Sequence, residues 1–123
     1  MKTPERVVIV GATDKPDRYA HQAQVLLSGH GHEVVPVNPR LAAIEGVPVV
    51  ADLAQVTGPV DTVTLYVGPA ISTDMGEKLI ALKPRRVLFN PGAENASLAA
   101  RLRAVGIQTE EACTLVLLRS GQF

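Results

Sequence analysis

The segment RVVIVGAT, residues Arg6 to Thr13, sets the architecture of this 123-residue chain. Its β-branched run stops at a glycine, as buried parallel strands do where they run out into a loop. The same pattern predicts further strands at 33–37, near 49–50, and at 61–67, 86–89 and 108–110. Apolar residues at helical spacing predict helices at 19–28, 72–82 and 95–105, a brief one from Asp52 and a closing one at 112–119.

Strands that alternate with helices of about ten residues indicate right-handed βαβ units. Residues 1–123 therefore read as a single α/β domain, a Rossmann-like three-layer sandwich with a mostly parallel sheet of five to six strands. The chain is 46% hydrophobic with only two Phe and two Tyr. An aliphatic core of this kind suits a sheet that is covered on both faces.

Charge and cysteine content narrow the function classes. Twelve Lys and Arg balance twelve Asp and Glu, so the basic excess typical of nucleic-acid binding is absent. No run of 18 apolar residues predicts a membrane span. The single cysteine, Cys113, fits a reducing compartment. We expect a cytoplasmic protein that binds neither nucleic acid nor membrane.

Any ligand should bind where parallel strands end and the strand order reverses. The strand ends concerned are Gly11–Lys15, Asn38-Pro39-Arg40 and Gly68-Pro69-Ala70, with Asn90-Pro91-Gly92 next to them. In the first loop, backbone N–H groups at a helix start, the Thr13 hydroxyl and the Lys15 ammonium suit a phosphate. Of the dinucleotide fingerprint G-x-G-x-x-G only Gly11 is present, so a plain strand-to-helix turn capped by Thr13 or Asp14 is the alternative.

The end of the second strand bears on which nucleotide is bound. NAD enzymes place an acid there for the ribose 2′-hydroxyl, whereas this chain has Asn38-Pro39-Arg40. A basic residue favours a ribose with an extra phosphate, as in NADP or coenzyme A, over NAD. Arg40 as an ordinary surface charge is the open alternative.

Four stretches together resemble the coenzyme A-binding domain family, the stand-alone relatives of the nucleotide-binding domain in the succinyl-CoA synthetase α subunit. They are VVIVGAT (7–13), VVPVNP (34–39), GVPV (46–49) and DTVTLYVGPA (61–70). The resemblance covers nearly the whole chain.

The resemblance implies where coenzyme A contacts this sequence. In the family, the first loop holds the phosphates, and this loop corresponds to Gly11, Thr13 and Lys15. The turn that contacts the adenosine corresponds to Asn38, Pro39 and Arg40. The strand end that borders the adenine and the crevice corresponds to Val67, Pro69 and Ile71. Asn90 lies on the pantetheine side, in a segment that departs from many family members, and Cys113 lies toward the thiol end. The implied site residues are Gly11, Ala12, Thr13, Lys15, Asn38, Pro39, Arg40, Val67, Pro69, Ile71 and Asn90.

The resulting hypothesis is a non-catalytic or accessory binding module for coenzyme A or an acyl-CoA. The ligase domains of the larger synthetases are not found in this sequence, and no complete catalytic constellation or metal site is predicted. His21 is expected on the surface of the first helix, and Cys113 is either a buried thiol or a partner in thiol–disulfide exchange. The alternatives are an NADP-binding oxidoreductase-like domain and an interaction domain with a vestigial nucleotide pocket. A homo-oligomer or a complex with a protein partner is compatible with the hypothesis and with both alternatives.

Overall fold

A computed structural model describes residues 3–123, which form a central parallel sheet between two layers of helices. The strands are β1 (Arg6–Val10), β2 (Glu33–Val37), β3 (Ala43–Ile44), β4 (Val47–Pro48), β5 (Thr62–Leu65), β6 (Arg86–Phe89) and β7 (Gln108–Glu111). The helices are α1 (Tyr19–Gly29), α2 (Pro69–Asp74), α3 (Gly76–Leu82), α4 (Ala96–Ala104) and α5 (Thr114–Arg119), with a 3₁₀ turn at Leu53–Gln55. None of these helices is long and apolar enough to cross a membrane.

The five main strands are parallel in the order β2-β1-β5-β6-β7, and β3 and β4 form a separate antiparallel hairpin. Alternate residues of β1 enter two cores. Val7 and Ile9 pack with Leu27 of α1 and Leu118 of α5. On the other face, Val8 and Val10 pack in the cluster that contains Leu79, Leu98 and Leu102 of α3 and α4. The predicted three-layer Rossmann-like fold is thereby confirmed, with five strands.

The very short strand predicted near Val49-Val50 is reduced to a single bridge. Val50 makes one parallel bridge to Val37, donating from its N–H to Pro36 O at 2.9 Å. Proline has no backbone N–H, so Pro36 cannot donate a hydrogen bond from the outer edge of β2. A longer ladder between β2 and the segment at Val50 therefore cannot form there. The residues just before, Val47 and Pro48, pair instead with the β3 strand.

The single helix predicted at 72–82 is also wrong, because two helices, α2 and α3, meet at Met75. The first begins at Pro69, a residue that suits the first position of a helix. At the junction the Arg101 guanidinium lies against Gly76, where an added Cβ would be 2.5 Å from Arg101 Nη1. This side chain arrives from α4, a contact that leaves no trace in the apolar spacing of 72–82.

Candidate functional site

Two adjoining clefts open at the carboxyl ends of β1 and β5, where the strand order reverses. We call them the polar cleft, of about 470 Å³, and the apolar cleft, of about 310 Å³. Gly11 lines both. The polar cleft is completed by Thr13, Lys15, Arg18, Tyr19, Ala20, Tyr66 and Pro91. The apolar cleft is completed by Val10, Val37, Pro39, Ala51, Asp52, Leu53, Val67, Ile71, Met75 and Lys78.

Gly11 is required by both its backbone angle and its surroundings. Its φ is +87°, and an added Cβ would lie 3.1 Å from Val67 Cγ1 and 3.3 Å from the Tyr66 carbonyl carbon. A side chain at this position would therefore be strained and would press on the chain leaving β5. Glycine lets the loop after β1 approach that chain closely and join the two clefts.

Asn38 ties the loop after β1 to the loop after β2. Its Nδ2 donates to Ala12 O at 2.8 Å, and its Oδ1 accepts from Arg40 N at 2.8 Å and Leu41 N at 3.1 Å. Ala12 N in turn donates to Val37 O at 3.2 Å. Asn38 and Ala12 thus shape the site from behind, and neither is among the residues that line the two clefts.

The polar cleft has the features of an anion site. The N-cap of α1 is Arg18, and no side chain caps this helix, so Thr13 and Asp14 do not cap it, and a plain strand-to-helix turn remains the alternative. Thr13 Oγ1 accepts from Lys15 N at 3.2 Å instead. Two cationic side chains, Lys15 and Arg18, therefore lie beside a helix start with unsatisfied N–H groups.

Tyr66 borders the polar cleft with a shielded hydroxyl. Within residues 3–123 this buried oxygen has no hydrogen-bond partner. Burial raises the pKa of Tyr66 to about 12, a charge on nearby Cys113 adds to the rise, and the adjacent Thr114 and Thr64 hydroxyls oppose it. Tyr66 is therefore a neutral phenol at physiological pH.

The apolar cleft combines aliphatic walls with one ion pair. Pro39, Val67 and Ile71, all predicted, line it together. Its two charged residues are Asp52 and Lys78, whose Nζ lies 3.0 Å from Oδ1 and 2.9 Å from Oδ2. The Ala54 backbone N–H, 2.8 Å from Asp52 Oδ1, lowers the pKa of this carboxyl, and Lys78 lowers it further.

Six predicted residues, Ala12 and Asn38 among them, lie outside the lining of both clefts. Arg40 and Pro69 are exposed on neighbouring turns, and Cys113 is half-buried before α5. Asn90 is buried, with Nδ2 bonded to Thr64 Oγ1 and Leu65 O, and Oδ1 bonded to Thr114 N. Both ends of its amide are thus bonded within the protein, and the structure does not bring it to either cleft.

Sequence reasoning missed Arg18, Tyr66, Asp52 and Lys78. Arg18 had a usable signal, a cation directly before the first helix. Asp52 and Lys78 are 26 positions apart and meet only in the folded chain. Their pairing has no signature in the sequence.

No His, Cys or Glu side chain lines either cleft in the part of the chain that the structure describes. His21, expected on the helix surface, is only 7% exposed, and its Nε2 lies 2.9 Å from Glu45 Oε1, because the β3–β4 hairpin covers this part of α1. Within residues 3–123, no three His, Cys, Asp or Glu residues cluster as a metal site.

A doubly covered parallel sheet with an anion-suited loop and an apolar cleft at its switch point defines a Rossmann-like nucleotide-binding domain. Within this class, the chain belongs to the CoA binding domain family, whose model matches residues 5–119.

Several structures and one sequence relative are similar to the chain. An uncharacterised protein of known crystal structure is 38% identical, with a TM-score of 0.93 over 99% of this chain and 100% of the other. A Thermus thermophilus protein, cell-free ID.343, is 28% identical, with a TM-score of 0.88 over 98% and 91%. The uncharacterised protein YneT of Bacillus subtilis is 33% identical over 66 residues, 54% of this chain and 49% of YneT.

A larger enzyme shares the fold. The dinucleotide-forming acetyl-coenzyme A synthetase 1 of Ca. Korarchaeum cryptofilum superposes with a TM-score of 0.75 at 17% identity. The match covers 86% of this chain and 25% of the synthetase. At this identity the likeness concerns the fold alone.

Proposed function

We propose that this chain is an accessory, non-catalytic module that binds coenzyme A or an acyl-CoA. The observation that carries the proposal is the pair of clefts joined at Gly11, one apolar and one holding Lys15 and Arg18. The base would occupy the apolar cleft and the pyrophosphate the polar cleft. Membership of the CoA binding domain family supports this ligand over other nucleotides.

The ribose 3′-phosphate would lie near Arg40. Pro39 lines the apolar cleft, and Arg40 follows it in the turn that Asn38 holds through its Oδ1. The Arg40 side chain is exposed and therefore available to an anion at the edge of this cleft. A guanidinium is well suited to bidentate contact with a phosphate.

A non-catalytic role is supported by what surrounds the clefts. His21 pairs with Glu45, and both ends of the Asn90 amide are bonded within the protein. Cys113 near the thiol end of the ligand stays a prediction. It lies near Tyr66, which lines the polar cleft, and this is compatible with that role.

The proposal is tested by thermal unfolding with coenzyme A, dephospho-coenzyme A, NADP and NAD. At a hundredfold excess over Kd, a ligand of the folded state adds about 2.7 kcal/mol, or roughly 10 °C in Tm for a domain of this size. We expect coenzyme A to raise Tm most and dephospho-coenzyme A less. A larger shift with NADP would favour the oxidoreductase-like alternative, and no shift with any of the four would favour a vestigial pocket.

The Arg40→Ala variant tests the proposed contact between Arg40 and the 3′-phosphate. It should weaken coenzyme A binding about tenfold and leave the affinity for dephospho-coenzyme A unchanged. Arg119→Ala is the matched control, because Arg119 is exposed in the last turn of α5, which runs away from the carboxyl edge of the sheet. An equal loss for both ligands in Arg40→Ala would remove the proposed 3′-phosphate contact.

A further inference from the structure

The Asp52–Lys78 pair stands out in the apolar cleft because the other side chains that line it are aliphatic or Met75. Both charged side chains remain about half exposed, at 47% and 44%. They come from different elements, Asp52 from the N-cap of the 3₁₀ turn and Lys78 from α3. A nucleobase that enters this cleft would therefore meet polar groups at one edge only.

The Asp52 carboxylate is held in a fixed orientation. Oδ1 accepts from Ala54 N, and Asp52 N donates to Gln55 Oε1 at 3.2 Å, which together form a capping box. Lys78 Nζ bridges the two carboxylate oxygens. The carboxylate is thus anchored from the 3₁₀ turn on one side and from α3 on the other.

The same contacts leave one acceptor position open. A carboxylate oxygen accepts about two hydrogen bonds. Oδ1 has two donors, Ala54 N and Lys78 Nζ, whereas Oδ2 has Lys78 Nζ alone. The open position on Oδ2 can accept a hydrogen bond but cannot donate one.

We propose that Asp52 is a base-selecting residue whose Oδ2 accepts a hydrogen bond from the 6-amino group of adenine. This inference rests on the proposed function, in which the nucleotide base occupies the apolar cleft. A purine with a 6-oxo group would place an acceptor against the open position on Oδ2, so no hydrogen bond would form there. Sites built to hydrogen-bond a donor discriminate strongly against analogues that lack it.

The experiment compares coenzyme A with an analogue that carries hypoxanthine in place of adenine, by titration calorimetry. Wild-type protein should bind the hypoxanthine analogue at least about tenfold more weakly. Asp52→Asn should reduce this ratio to within about threefold, because the Asn amide can offer a donor to the 6-oxo group. Asparagine is also a good N-cap, so the 3₁₀ turn should be kept.

Glu77→Gln is the matched control, since it removes one negative charge next to Lys78 but Glu77 does not line the apolar cleft. It should leave the adenine preference as in wild type. Tight binding of coenzyme A with equal affinity for the hypoxanthine analogue would overturn this inference and leave the proposed function intact. An Asp52→Asn variant that folds and keeps the full preference would do the same. Failure of wild-type protein to bind coenzyme A would overturn the proposed function, and this inference with it.

Discussion

Tyr66 combines a position on the polar cleft with a hydroxyl that the fold shields. The phenol lies near the Thr64–Thr114 pair, whose hydroxyl oxygens are 2.8 Å apart, and Thr64 Oγ1 also accepts from Asn90 Nδ2 at 2.7 Å. These three groups satisfy one another, which leaves the Tyr66 oxygen without a partner in the described chain. At neutral pH the phenol therefore contributes to stability through the packing of its ring against the core.

The raised pKa of Tyr66 predicts a loss of stability in alkali. The folded state holds this proton more tightly than the unfolded state, so the contribution is fully present below pH 10 and is lost as pH rises toward about 12. Each pH unit in that window should cost at most about 1.4 kcal/mol. Tyr66→Phe should remove this part of the decline and change stability at neutral pH by less than about 1 kcal/mol. Urea unfolding at several alkaline pH values measures both.

Tyr19→Phe is the control for this prediction, because Tyr19 is 68% exposed and is the other tyrosine of the chain. It should keep the wild-type alkaline decline. An unchanged decline in Tyr66→Phe would show that the Tyr66 proton is not held by burial.

Sequence predicted the parts of the site that are local in the chain. Gly11, Thr13 and Lys15 follow a strand directly, so the end of that strand places them at the cleft. Asn38 was expected at the ligand through the family resemblance, and Asn90 because its turn follows a strand next to the switch point. Their amides instead bond to backbone and hydroxyl groups of the protein, partners that sequence spacing does not reveal. Arg40 remains a prediction on an exposed turn.

At the scale of elements, Asn95 connects the start of α4 to α2. Its Oδ1 caps α4 by accepting from Leu98 N at 3.1 Å. Its Nδ2 lies 2.9 Å from both Ser72 Oγ and Thr73 Oγ1. One side chain thus fixes the short helix that carries Ile71 into the apolar cleft.

Asn95→Asp separates these two roles. Aspartate keeps a side-chain oxygen that can cap α4, but it has no N–H to donate to α2. It also places a negative charge at a position that is only 7% exposed. We expect a loss of roughly 2 kcal/mol in the free energy of unfolding, measured in urea. Ser28→Ala, at an exposed position of α1, is the control and should cost less than about 0.5 kcal/mol. Equal stability of Asn95→Asp and wild type would contradict the coupling of α4 to α2.

The sequence predicted β2 and β6 to the residue, because β-branched or apolar runs end at clear turn residues. The very short third strand that it predicted is only a single bridge, and it missed the α2–α3 break. At the third strand, Pro36 of β2 has no N–H with which to extend the pairing to Val50. At the α2–α3 break, the Arg101 side chain from α4 lies against Gly76. Both depend on contacts between residues distant in the chain.

At the scale of the whole molecule, the candidate site is assembled from separate segments. The loop after β1, the turn after β2 and the α2–α3 segment meet only because the strand order reverses between β1 and β5. Asn38 joins the first two segments, and the close approach of Gly11 to Val67 joins the first and third. A ligand that fills both clefts would therefore restrain all three at once.

Hydrogen exchange with and without coenzyme A tests this arrangement. Ligand binding suppresses local openings of the segments it contacts. We expect slower exchange together at 11–20, 38–41 and 66–75, and unchanged exchange in α4 and β7. With dephospho-coenzyme A the protection should persist at 11–20 and weaken at 38–41, where Arg40 lies. Protection confined to 96–111 would instead place the ligand in the cavity of about 210 Å³ between β6, α4 and β7, and would contradict the site at the switch point.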